Sequence, residues 1–382
     1  MNRRYDIQII GAGITGLTVA ALLANCERSD RLRITVVDAA PRPTHSARDD
    51  VALRVSAIAT GSARLLDSID AWQHVLDTRA SRYEKMRVWD ESSVPDAAST
   101  LRFDADEFAV AQLGFIVENV LLQHALLAVL DKLDVELVFD TRIDTPRGDL
   151  VIGADGARSF VRDQAGIETR DYPYGQTAFV THLRPEQPHR RTALQRFLGD
   201  GPLGMLPLGD GRISVVWSMH DALADRVQAA TDEELGEILS EASDYVLGKL
   251  EVDGPRGAFP LCARHARQYV APGLALIGDA AHAVHPLAGQ GANLGLQDAA
   301  KLASVIDEAL ANGEHPGDRP VLRRYERARK GENAIMLHFM TGLNRLFATD
   351  SALVRELRIA GMHLFNYGGP IRDHAVKVAL GV

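Results

Sequence analysis

Between Leu274 and Ala300 the chain reads LALIGDAAHAVHPLAGQGANLGLQDAA, which gathers two histidines, two carboxylates and a cluster of glycines in one stretch. The apolar run Leu274 to Ile277 ends in Gly278-Asp279, the profile of a buried strand that stops at a polar contact. His285-Pro286, Gly289, Gln290, Gly291, Ala292, Asn293 and Gly295 follow, and from there Leu294, Leu296, Ala299 and Leu302 keep helical spacing. A strand, a small-residue loop and a helix start make an anion seat. The first helical amides have no internal partner, and glycine lets a ligand reach the backbone. His285 offers two roles, carrying a proton or holding the loop in shape. No acid or cysteine completes a ligand set with His282 and His285, so no metal is expected.

The second chemistry-bearing stretch lies at the N-terminus. Tyr5 to Ile10 reads as a buried strand, Gly11-Ala12-Gly13-Ile14-Thr15-Gly16 follows at once, and helical spacing continues through Leu23. Arg33 to Val37 is a second strand, ended by Asp38, 22 residues after Gly16. In such a βαβ unit Gly11 permits the turn, Gly13 lets a pyrophosphate approach, and Gly16 allows close helix–strand packing. Asp38 accepts hydrogen bonds from a ribose. In the third stretch, strand Leu150–Ile152 runs into Gly153-Ala154-Asp155-Gly156 and a helix start. Arg54, among small residues, is either a permanent cation for an anionic ligand or a salt-bridge partner of Asp49 or Asp50. Glu118-Asn119 either borders the ligand or forms a solvated helix start.

The elements that must hold these residues suit an α/β chain with α+β features. A Rossmann-like dinucleotide domain is expected from 1–70, 110–170 and 262–315. A substrate domain with an antiparallel sheet is expected from 71–109 and 171–261, and a helical C-terminal region from 316–382. Alternating strands are expected at Ala178–Leu183, Thr192–Phe197 and Gly211–Trp217, and Thr231-x-x-Glu234 reads as a capping box. Phe197, Met205, Leu206, Val216 and Trp217 are either substrate-wall residues or plain core. The formal net charge of −9 over 382 residues, with no dense Lys/Arg block, argues against nucleic acid. Two cysteines build no disulfide framework, which fits a cytoplasmic setting. No apolar run reaches about 18 residues, so peripheral docking on a membrane surface is the only membrane option.

Taken together, Gly11–Asp38, Asp155-Gly156 and Gly278–Asp298 resemble the FAD-dependent aromatic hydroxylases of the para-hydroxybenzoate hydroxylase type. The stretch His285–Asp298 is similar to the signature of the ubiquinone-biosynthesis hydroxylases. Leu53–Ile58, Val117–Asn119, Gly201–Leu203 and Leu206–Leu208 match as well. The resemblance implies FAD as cofactor and NAD(P)H as transient reductant. It implies O2 and an aromatic quinone precursor as co-substrates, with ring hydroxylation through a C4a-hydroperoxyflavin. It assigns Gly11, Gly13, Gly16, Asp38, Arg54, Asp155, Gly156, Gly278, Asp279, Gly291, Ala292 and Asn293 to the cofactor, and His285, Pro286, Gly289 and Gln290 to the reacting end. A partner surface, either the membrane or a quinone-biosynthesis complex, follows from a polyprenyl substrate. A soluble phenolic acid as substrate, or a non-catalytic flavin-binding subunit, are the alternatives. The chain departs from relatives before Gly153, where a hairpin is missing.

Overall fold

The computed structural model describes residues 4–285, 290–347, 349, 351–369, 372, 373, 376 and 381. Three sheets organise them. The first has six strands in the order Val270–Ala271, Leu274–Leu276, Leu150–Gly153, Tyr5–Ile10, Leu32–Val37 and Val135–Val138. Its inner strands are parallel, with Ile7 opposite both Ile34 and Leu150. Parallel strands covered on both faces must be apolar throughout, as YDIQII and LRITVV nearly are. Helices Ile14–Ala24, Asn119–Leu130 and Gln290–Ala311 cover this sheet, and their buried leucines and alanines join it in one core.

The second sheet has eight strands. In order they are His282–Ala283, Leu250–Ala266, Thr169–Pro185, Ile213–His220, Gly201–Pro207, Thr192–Leu198, Lys85–Asp90 and Leu101–Asp104. Strands of 17 residues at Thr169–Pro185 and Leu250–Ala266 run antiparallel and join this sheet to the first layer. Helices Asp221–Ala229 and Asp232–Ala242 cover one face, and the second carries both halves of the Thr231–Glu234 capping box. The third sheet, Val55–Ala59, Gly114–Glu118 and Ser81–Tyr83, places Ile58, Phe115 and Val117 in the first core and groups Ala57 and Ile116 with Leu206 and Leu208. Segment 71–109 is therefore divided. Trp72 and Val75 enter the first core, Ser81–Tyr83 joins the small sheet, and only the two later strands reach the large one.

Period-two alternation decides which of the five apolar candidates are core. Met205 and Trp217 face the two helices and are 1% and 5% exposed. Leu206 and Val216 point the opposite way, half-buried, and Leu206 packs against Val51 and Tyr83. Phe197 stacks on Phe347, ring centroids 3.7 Å apart, under the C-terminal helices Arg319–Phe347 and Ala352–Asn366. Between Val138 and Leu150 there is no strand, as the shortened sequence requires.

Candidate functional site

The strand ends of the first sheet converge on one cleft, and the glycines there divide into two kinds. At Gly11 (φ +107°) an added Cβ would lie 2.4 Å from the Ala154 carbonyl oxygen, and at Gly16 one would lie 1.9 Å from that of Gly11. These two glycines serve the protein's own packing. At Gly13, Gly156 and Gly291 an added Cβ would meet nothing within 4 Å. That open space lies beside the start of helix Ile14–Ala24, whose N-cap Gly13 supplies no side-chain acceptor and whose first turn has no acid. Free amides beside open glycines fit a pyrophosphate.

The carboxylates around the cleft are partly engaged. Asp38 accepts from the Ala12 amide (2.6 Å) and the Ala40 amide (2.8 Å), which fixes it beside the glycine turn. Gln123 clamps the same turn by donating to the Ala12 carbonyl at 3.0 Å. Asp155 uses one oxygen to accept from Val161 N (3.1 Å), while its other oxygen is buried without a partner among the described residues. Such an orphan acceptor fits a bound hydroxyl or amide donor. The Arg162 guanidinium, missed from the sequence, donates to Ala157 O (3.1 Å) and Ala280 O (3.2 Å), joining the Asp155 turn to the Gly278 turn.

Gly278 needs its positive φ of +57°, and an added Cβ would press on Thr15 at 3.0 Å. Gly295 is tighter still, with Thr15 Oγ1 2.4 Å from its notional Cβ, so helices Ile14–Ala24 and Gln290–Ala311 cross on small residues. Asp279 is exposed along the cleft although protein crowds its other sides. That crowding raises its carboxyl above the usual range, opposed by His282 and Arg54. Arg54 makes no ion pair with Asp49 or Asp50. Among the described residues its charge lies over the Phe259 ring, 5.7 Å from the centroid.

Asp298, fully buried behind this turn, was not singled out as a site residue from the sequence. It accepts from Gly278 N (3.1 Å), Arg329 Nε (2.8 Å) and Asn333 Nδ2 (3.1 Å), and pairs with His282 Nε2 at 2.5 Å. Burial works to raise its pKa, but His282 and Arg329 overcome this and hold it below the ordinary range. A buried carboxylate needs that many donors. The only sequence signal was an acid on the buried face of a helix.

The reacting-end residues fare differently. Pro286 and Gly289 lie outside the described residues. Gln290 opens helix Gln290–Ala311. Asn293 is buried, with its side chain committed to the small sheet: it accepts from Ala59 N (2.9 Å) and donates to Ala57 O (2.8 Å). Its side chain anchors the helix start, so the backbone is what the helix start offers a ligand. Ala292 is half-buried beside it. His285 is 1% exposed, packs edge-on against Tyr174 (4.9 Å), and neither ring nitrogen has a partner among the described residues. Glu118 is also buried, paired with Arg79 (2.6 Å) and the Ala52 amide (2.6 Å), and is not a solvated helix start. No group of three metal-ligating side chains exists among the described residues.

A glycine-turned parallel sheet, a second acidic turn and a large antiparallel sheet over one cleft define an FAD-dependent monooxygenase of the aromatic-hydroxylase fold. The chain belongs to the FAD binding domain family, which matches residues 4–336. It is 34% identical over 401 residues to the 3-demethoxyubiquinol 3-hydroxylase of Escherichia coli, covering 100% of both chains. It is 36% identical over 403 residues to the ubiquinone hydroxylase UbiL of Rhodospirillum rubrum, covering 98% of this chain and 89% of that one. The fold is shared with p-nitrophenol 4-monooxygenase of Pseudomonas putida at a TM-score of 0.76 and 17% identity, covering 100% and 99% of the two chains.

Burial pulls the His285 pKa down to about 4, below its unfolded value of about 6.5. Stability from the neutral ring is therefore complete above about pH 6.5 and is lost as pH falls towards 4. Urea unfolding at pH 8 and pH 5 measures this. His285→Phe should shrink the difference between the two unfolding free energies by about 2 kcal/mol. An unchanged difference would mean that the ring is hydrated and free to protonate.

Proposed function

We propose that this protein hydroxylates the aromatic ring of a ubiquinone precursor, a polyprenyl phenol or benzoquinol, with NAD(P)H as transient reductant and O2 as oxygen donor. The observation that carries this reading is the end-to-end match, at 34% and 36% identity, with proteins named as ubiquinol and ubiquinone hydroxylases. FAD, when bound, supplies the redox chemistry and the activation of O2. The chain supplies position and charge. Gly13 and the first amides of helix Ile14–Ala24 take the pyrophosphate, and Asp38 accepts from the adenosine ribose. Asp279 accepts from the ribityl hydroxyls, and the free oxygen of Asp155 takes a further donor.

At the other end, the amides at Gly291, Ala292 and Asn293 begin helix Gln290–Ala311 and turn its positive end towards developing negative charge. Pro286, Gly289 and Gln290 complete that loop by resemblance, with Pro286 stiffening it. The buried ring of His285, unpartnered among the described residues, supports a shape-holding role in preference to proton transfer. Leu206, Val216 and the exposed Phe259 stand on the side of the large sheet away from its covering helices, which supports an apolar substrate wall. A second dinucleotide turn is absent from the sequence, which supports transient use of the nicotinamide. Deleting the gene should cause a ring-unhydroxylated quinone precursor to accumulate, as read by mass spectrometry. A normal quinone profile would contradict the assignment.

A polyprenyl tail resides in lipid, so the enzyme must meet the membrane. No helix among the described residues is long and apolar enough to cross one. Ile335, Phe339 and Leu346 on helix Arg319–Phe347, and Leu353, Leu357 and Leu364 on helix Ala352–Asn366, are all at least 40% exposed. With Arg345 alongside, this stripe supports docking on an anionic bilayer. The protein should co-sediment with phosphatidylcholine–phosphatidylglycerol vesicles, and Leu353→Glu with Leu357→Glu should release it. Wild-type protein that stays in the supernatant would overturn the docking surface.

A further inference from the structure

The segment Asp49–Arg54 leads into the small-sheet strand Val55–Ala59 and touches the large sheet at Gly257, and nearly every residue in it is pinned. Arg79 donates to Asp49 O (2.6 Å) and Asp50 O (3.3 Å) while its other edge grips Glu118. Glu118 in turn accepts from Ala52 N at 2.6 Å. The Leu53 side chain fills the space over Gly257, where an added Cβ would lie 2.7 Å from Leu53 Cδ2. Arg54 O accepts from Asn119 N at 3.0 Å. The Arg54 side chain, by contrast, is exposed, has no carboxylate partner among the described residues, and stands over Phe259 of the large sheet.

A second hold on this segment comes from the large sheet. Arg212, at the start of strand Ile213–His220, is 6% exposed yet uses every N–H of its guanidinium. Nε and Nη2 donate to Asp210 Oδ2 at 2.9 and 2.7 Å, and Nη2 to Asp50 Oδ1 at 2.6 Å. Nη1 donates to Asp50 Oδ2 at 3.5 Å and to Asp253 O at 2.8 Å. A bidentate fork on Asp50 fixes orientation as well as distance, which a lysine could not do. Asp50 is 67% exposed at its side chain, and besides Arg212 its carboxylate accepts only from the next amide, Val51 N at 2.7 Å, among the described residues.

We propose that Arg212 is a positioning residue for the cofactor: through Asp50 it fixes the Asp49–Arg54 segment and thereby aims the Arg54 guanidinium at the anionic flavin. This rests on the reading above, in which Arg54 faces the cofactor. It couples the substrate sheet, which carries Arg212 and Phe259, to the charge that stabilises reduced FAD. Misplacing a cation by a fraction of its contact distance weakens its interaction with the reduced flavin more than with the oxidised one.

The test is a four-protein cycle of wild type, Arg54→Ala, Arg212→Gln and the double variant. It reads FAD affinity of the apoprotein by flavin fluorescence and the midpoint potential of the bound flavin. Arg54→Ala should lower the potential and weaken FAD about tenfold, the usual loss for one charge-assisted contact. Arg212→Gln should shift both readouts the same way by less, and the double variant should match Arg54→Ala. Asp50→Asn, whose exposed side chain spares the fold, should reproduce the Arg212→Gln shift even if that variant folds poorly. Additive shifts in the double variant, or an Asp50→Asn potential equal to wild type while Arg54→Ala moves it, would overturn the positioning role. An Arg54→Ala protein with wild-type potential and affinity would instead overturn the reading of Arg54 on which it rests.

Discussion

The arrangement depends on a single buried carboxylate. Asp298 has no exposure to solvent and is satisfied from three elements at once: the Gly278 turn, the His282 strand and the long C-terminal helix through Arg329 and Asn333. An ionised group in such surroundings is tolerated only when every lone pair is met, and removing one partner from such a site costs about 3–5 kcal/mol. The same residue sits on helix Gln290–Ala311, whose first turn faces the cleft. The position of the helix start and the position of Asp279 are therefore fixed by one atom group.

Other contacts extend that constraint outward. Asn293 ties the helix start to Ala57 and Ala59 of the small sheet, and Arg162 ties the Gly278 turn to the Asp155 turn. Thr15 packs against both Gly278 and Gly295, where helices Ile14–Ala24 and Gln290–Ala311 cross on small residues. Tyr269 stacks on His282 and accepts or donates to His265 at 2.8 Å, closing the network behind the cleft. Polar groups thus hold these turns from behind, whereas an added Cβ at Gly13, Gly156 or Gly291 would meet nothing within 4 Å. Surface cavities are found elsewhere among the described residues, one of about 270 Å³ beside Arg42 and His124 and one of about 360 Å³ beside Arg102 and Tyr367.

What could be read in the sequence was local. The strand–turn–helix at Tyr5–Ala24, the acid at Asp38 and the second strand were legible because glycine spacing and apolar runs carry their own geometry. The family followed from the glycine-rich signature. Long-range partnerships were not legible. Nothing near Asp298 in sequence announces that Arg329 and Asn333, more than thirty residues on, will share its oxygens. Nor does Arg54 reveal that Arg212 holds its segment. The face of a strand was equally hidden, since Met205 and Leu206 differ only in which side the helices Asp221–Ala229 and Asp232–Ala242 cover. The sequence shows the alternation but not which side receives a layer.

In the first glycine turn the two kinds of glycine sit side by side: an added Cβ meets nothing within 4 Å at Gly13 and lies 1.9 Å from Gly11 O at Gly16. Measuring FAD content and thermal melting together for Gly13→Val and Gly16→Val separates the two. If Gly13 receives the FAD pyrophosphate, Gly13→Val should melt near the apoprotein temperature of the wild type but purify without FAD, whereas Gly16→Val, clashing with Gly11, should fail to fold stably. A Gly13→Val protein that retains stoichiometric FAD would contradict it.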